Sequence, residues 1–176
     1  VEIHLIETNE DGFKKIEQTL ENGKKYSAIH IIGHGSAGQI LFGNALLTNE
    51  SIENYKSTLG SIGESLTKKG DILFYGCNIA ANDKGEALLK KISNFTKADI
   101  AASNDLTGKG GDWVLEKKYG IVETKNAEVI DYEHFLANGV SSVSGQGVEK
   151  HDATSFWPKG QKDSQKRIMI TLEKEN

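Results

Sequence analysis

Two short apolar runs, each cut off by a glycine, limit what this chain can fold into more than any other feature. Residues 28–32 read Ala-Ile-His-Ile-Ile and stop at Gly33-His34-Gly35-Ser36; residues 72–75 read Ile-Leu-Phe-Tyr and stop at Gly76-Cys77. A run apolar at successive positions has no face to spare for solvent. It must be covered on both sides, which is the condition of a strand inside a parallel sheet. Residues 3–6 and 98–102 are further short apolar segments suited to strands.

Between these runs the spacing changes to that of helices. Phe13, Ile16 and Leu20 recur among Lys and Glu, with Gly23 as a stop. Ile52, Tyr55, Leu59, Ile62 and Leu66 form the stripe of a long second helix, capped by Thr48 or Asn49 and weakened locally by Gly60 and Gly63. A third helix starts near Asn82 or Asp83 and buries Leu88, Leu89, Ile92 and Phe95. Residues 39–42 suit a small hairpin arm, and residues 113–115 and 121–122 a closing pair of strands. Strand and helix alternating in this order predict an α/β domain, a three-layer α/β/α sandwich around a mainly parallel sheet.

The 176 residues suffice for one such domain and an appendage. The α/β region is assigned to residues 1–137. Residues 138–166 open with Val-Ser-Ser-Val-Ser-Gly-Gln-Gly at 140–147 and are assigned to a Ser/Gly-rich linker or cleavage region. Residues 167–176 are assigned to an edge strand or the start of a further region, because residues 167–172 within them alternate polar and apolar. Val1 is not an initiator Met, so the chain is expected to be a piece of a longer protein. Its net charge of −4, with Lys and Arg dispersed, argues against a nucleic-acid partner. No apolar run approaches the roughly 18 residues of a membrane-spanning helix.

In open α/β sheets, chemistry collects at the carboxyl ends of the strands. Three segments bring unusual residues there: Gly33-His34-Gly35, Gly76-Cys77-Asn78, and residues 103–108 (Ser-Asn-Asp-Leu-Thr-Gly). A lone cysteine excludes an internal disulfide and is ordinarily a buried small hydrophobe. Cys77 stands out through its company, since a thiol becomes a nucleophile only beside a base or in an electropositive setting. His34 can supply the base, and the amides of glycine-rich turns can hold a developing oxyanion. Asp105 offers a carboxylate for a cationic side chain, or equally a local loop bond. His30, inside its strand, reads as a packed, hydrogen-bonded residue. A zinc site from His30, His34 and Cys77 lacks a fourth ligand, so no metal site is assigned.

These blocks together resemble a family. Ile-His-Ile-Ile-Gly-His-Gly, then Asp-Ile-Leu-Phe-Tyr-Gly-Cys-Asn, then Ala-Ala-Ser-Asn-Asp-Leu-Thr-Gly and Gly-Gly-Asp-Trp-Val-Leu-Glu are similar to an uncharacterised domain near the N-terminus of large bacterial repeat adhesins and other surface proteins. The likeness spans roughly residues 3–125, and the four blocks in this order are specific. The wider group it suggests is the caspase, gingipain, legumain and clostripain class of cysteine peptidases. The resemblance implies a caspase-like fold, with Cys77 as nucleophile and His34 as general base or acid. It further implies the amides of Gly35 and Cys77 as oxyanion hole, and Ser103 and Asp105 as substrate-binding residues.

The expected function is therefore a cysteine endopeptidase or autoprocessing domain of a large secreted or cell-surface protein. Its expected substrate is a peptide, with its own C-terminal linker as a candidate, and it is expected to be a monomer within a larger chain. Its chemistry requires no cofactor, and the sequence gives calcium no support. A pocket lined by Asp105 would direct cleavage after Lys150, Lys159 or Lys162; a legumain-like pocket would direct it after Asn138. The competing expectation is a non-catalytic binding or folding module of an adhesin. Activation by a polyanion finds no dense basic cluster to act on.

Overall fold

The computed structural model describes residues 2–7, 9–127, 136 and 168–174. In chain order the elements are β1 (Glu2–Ile6), α1 (Gly12–Leu20), β2 (Tyr26–Ile32), β3 (His34–Ser36), β4 (Gln39–Phe42) and β5 (Ala45–Thr48). A 3-10 turn (Ser51–Tyr55), α2 (Lys56–Glu64), β6 (Leu66–Tyr75), α3 (Asn82–Thr96), β7 (Asp99–Ala102), β8 (Lys117–Tyr119) and β9 (Ile168–Lys174) follow.

The main sheet has the order β1-β9-β2-β6-β7-β8. β2, β6 and β7 are paired in parallel, and β1 runs with them on the far side of the antiparallel β9. Four of the six strands thus share one direction. Register sorts the side chains by period two: Ile29, Ile72 and Ile100 align in one row and Ile31, Phe74 and Ala102 in another. Both rows belong to the larger buried cluster, together with Phe13 and Ile16 of α1, Leu59 and Ile62 of α2, and Leu88, Leu89 and Ile92 of α3. The two uncharged runs were legible as doubly covered strands for this reason. The antiparallel β3-β4-β5 sheet adds Ile40, Phe42 and Leu47 to the same cluster.

The opposite face carries Ala28, Ile32, Leu73, Tyr75, Cys77 and Ala101, joined by Leu115 and Leu136. Trp113, Val122 and Ala127 pack against them. Among the described residues this face is covered by irregular chain, with all three helices on the other side. The observed architecture is a mixed α/β fold with a mostly parallel sheet.

Several local expectations change. Leu66 begins β6, paired with Tyr26, instead of ending a helix. The expected long helix opens as a 3-10 turn, with the amides of Glu50 and Ser51 donating to Thr48 Oγ1 at 3.2 and 3.1 Å. Gly63 has a packing reason, since a Cβ there would lie 1.8 Å from the Thr96 carbonyl oxygen of α3. Residues 113–115 and 121–122 are not strands; the ladder to β7 is made by Lys117–Tyr119 between them. Amides nearby go elsewhere: those of Glu123 and Thr124 donate to the buried carboxylate of Asp71. β9 lies inside the sheet, between β1 and β2, rather than on an edge. Residues 138–166 lie outside the described residues.

Asp11 joins two elements. Its Oδ1 accepts the Lys14 amide at 3.1 Å, capping α1, and its Oδ2 accepts the Tyr55 hydroxyl at 2.9 Å. Burial first, and then this bond to Asp11, push the Tyr55 hydroxyl up to about 12. Asp11→Ala should cost about 1–2 kcal/mol in urea unfolding at neutral pH, the usual value of a lost cap. The folded state favours neutral Tyr55, so its contribution is complete below the unfolded value of about 10 and is lost as pH rises through about 12. The variant should show a smaller alkaline loss of stability and a Tyr55 titration nearer the ordinary range, read by tyrosinate absorbance.

Candidate active site

At the carboxyl ends of β2, β6 and β7 the three glycine-rich segments do meet. The Gly33 amide donates to the Tyr75 carbonyl at 2.9 Å, extending the β2–β6 pairing into the turns. Gly35 lies so close to the second turn that a Cβ would sit 2.3 Å from Ile79 Cγ1 and 2.8 Å from the Cys77 carbonyl oxygen. Only glycine permits this approach. The third segment docks through main-chain bonds from Asn78 to Asp105 at 2.7 Å and from Ala80 to Ser103 at 2.9 Å. Asn78 turns the chain after Cys77 in a left-handed conformation, φ 58°, a region that Asn enters more easily than other side chains.

The two amides expected to form an oxyanion hole share an acceptor. Gly35 N–H and Cys77 N–H donate to the Leu136 carbonyl oxygen at 2.8 and 3.1 Å. Leu136 N–H in turn donates to the Thr107 carbonyl at 3.2 Å. One residue is thereby held at both its carbonyl and its amide. Two donors within about 3.1 Å of one oxygen is the arrangement that stabilises negative charge on that oxygen. Leu136 and Thr107 were not singled out from sequence. Nothing local marks either residue, because their partners lie 29 or more positions away in the chain.

Cys77 has no solvent exposure. Its Sγ accepts the Thr107 amide at 3.3 Å and lies 3.4 Å from the Thr107 carbonyl oxygen, to which the thiol donates. Burial pushes the thiol up; bonds from the Thr107 and Leu136 backbones oppose this, while the charge of Asp105 adds to it. The resting sulfur is therefore a neutral thiol at pH 7. His34 is half-buried at the start of β3, the residue between Gly33 and Gly35. His30 is buried and its Nδ1 lies 3.0 Å from the Tyr75 hydroxyl, with the rings stacked 5.8 Å apart. That is the packed, hydrogen-bonded role expected of it.

Ser103 is buried and ties its own loop: the Asp105 amide donates to its Oγ at 3.2 Å, and Oγ lies 3.3 Å from Asp105 Oδ1. Asp105 is exposed, and its carboxylate lies with those of Asp112 and Glu116, oxygens within 4.8 Å of one another. Glu116 also accepts the Asn104 amide at 2.9 Å and Asp112 the Val114 amide at 2.8 Å. These are the described residues that could hold a cation. All three are exposed, and the loop already uses each of them as an acceptor.

Residues 1–136 match the family described as Domain of unknown function (DUF4347). The chain belongs to this family. The DUF4347 match covers β1 to β8 and stops at Leu136, the residue whose carbonyl sits between the two amides. No curated protein matches the chain, and no solved structure does. No helix of the described residues is long and apolar enough to cross a membrane.

Proposed function

We propose that this DUF4347 domain is a cysteine endopeptidase of the caspase-like class, acting as an autoprocessing domain within a large bacterial surface protein. The observation that carries the reading is the convergence of the Gly35 and Cys77 amides on one carbonyl oxygen. In the proposed reaction Cys77 Sγ attacks a peptide carbonyl and His34 takes the thiol proton. The two amides hold the oxyanion, and His34 returns the proton to the leaving amine. Water then hydrolyses the thioester. The three-layer sandwich, secretion and a surface location belong to this same reading, as does a substrate-binding role for Ser103 and Asp105. Calcium is not required by any step.

One observation favours a second reading, a non-catalytic binding or folding module: the sulfur is wholly buried, and burial raises its pKa. Thiol chemistry separates the two. Under the peptidase reading, wild-type chain incubated with and without calcium accumulates fragments that Cys77→Ala and His34→Ala do not give. The wild-type thiol is alkylated faster than that of His34→Ala at pH 7, and its rate climbs further above the ordinary thiol range as the buried group ionises. Equal alkylation rates in the two proteins, with both chains intact, would establish the module instead.

A further inference from the structure

We infer that the bond cut by this site is the one following Leu136 in the same chain, so that the site takes a leucine-type apolar residue before the cleaved bond. The inference rests on the peptidase reading and adds its substrate. Leu136 is held as a substrate residue would be: carbonyl oxygen on the Gly35 and Cys77 amides, amide hydrogen on the Thr107 carbonyl. One of those two amides belongs to Cys77 itself, so the residue that carries the reacting sulfur already touches this peptide unit. Its side chain is 4% exposed within the cluster of Ile32, Tyr75 and Leu115. That environment selects an apolar group. Asp105 faces solvent instead, beside Asp112 and Glu116. Lys150, Lys159, Lys162 and Asn138, where the sequence alone placed the cut, lie outside the described residues.

The chemistry balances with water as the only co-reactant. Sγ–C bond formation at Leu136 moves the carbonyl π-electrons onto oxygen, between the two amides. Collapse breaks the C–N bond, and Ala137 leaves as a free amine with the proton carried by His34. Water then gives a Leu136 carboxylate and restores the thiol. The topology adds a consequence: β9 lies downstream of the cut yet pairs with both β1 and β2. The two products should therefore stay together in native buffer and separate only in denaturant.

The test is denaturing intact-mass spectrometry on the full 176-residue chain over prolonged incubation, beside Cys77→Ala and Leu136→Lys, with Leu136→Met as the conservative variant. The expected result is a Cys77-dependent pair of fragments, 1–136 and 137–176, co-eluting before denaturation. Leu136→Met should be cut at the same bond within a few-fold of wild type, and Leu136→Lys at least tenfold more slowly. Cys77-dependent cleavage at another bond would overturn the assignment of Leu136 while leaving the peptidase reading intact. A wild-type chain that stays whole, with its thiol reactivity indifferent to His34, would overturn both.

Discussion

Gly35→Ala should reduce Cys77-dependent cleavage by a factor of about 100 or more, the usual loss when one oxyanion donor is misplaced. The added methyl would lie 2.3 Å from Ile79 Cγ1 and 2.8 Å from the Cys77 carbonyl oxygen. The isoleucine can shift its side chain, but the carbonyl belongs to the turn that carries the nucleophile. The strain is therefore relieved by driving the two turns apart, which spoils the convergence of the Gly35 and Cys77 amides on the Leu136 oxygen. Ser36→Ala is the control. Among the described residues that hydroxyl bonds only to Gln39 Oε1 within the β3–β4 arm, at 3.0 Å, and cleavage should stay within twofold of wild type. A Gly35→Ala chain that is correctly folded and cut at the wild-type rate would remove the amide pair from the mechanism.

Asp71→Ala should be the most destabilising of the single changes considered, by about 3 kcal/mol, from loss of a buried acceptor and the stranding of its donors. For a chain of this length that corresponds to a fall in Tm of roughly 6–12 °C. Asp71 is fully buried at the entrance to the parallel part of β6. One oxygen, Oδ2, accepts the Glu123 amide at 3.1 Å, the Thr124 amide at 2.9 Å and the Thr124 hydroxyl at 2.6 Å. These bonds hold the segment that lays Val122 and Ala127 on the second sheet face, where the Ala127 amide also donates to the Tyr75 hydroxyl at 2.8 Å. Losing the anchor therefore loosens the cover of the face that contains Cys77. Asp71→Asn keeps a carbonyl oxygen and should recover about half of the loss in thermal unfolding. Equal stability for Asp71→Ala and wild type would show that the cover is held by packing alone.

The reach of sequence reasoning divides along physical lines. Residues 28–32 and 72–75 announced themselves because a strand covered on both faces leaves a local trace, an unbroken apolar run. The helices left theirs in the spacing of Phe13, Ile16 and Leu20 or of Leu88, Leu89 and Ile92. The meeting of Gly33-His34-Gly35 with Gly76-Cys77 was equally legible, since parallel neighbours bring their carboxyl ends to one edge. Residues 113–115 and 121–122 were misread as paired strands for an instructive reason. Trp113, Leu115 and Val122 cover the second sheet face, while the amides of Glu123 and Thr124 beside them are taken by a carboxylate 52 and 53 residues away. No local pattern records that partner.

Sequence by itself determined the alternating α/β order, the parallel core and the address of His34 and Cys77, because each depends on periodicity or on residues adjacent in the chain. Tertiary structure alone decided three things: that β9 enters the middle of the sheet, that Cys77 is sealed from solvent, and that Leu136 lies across the two amides. Each of these depends on contacts between residues far apart in the chain. A hydrogen bond or an occluded sulfur is fixed by where distant backbone arrives, and the residues at either end carry no mark of it.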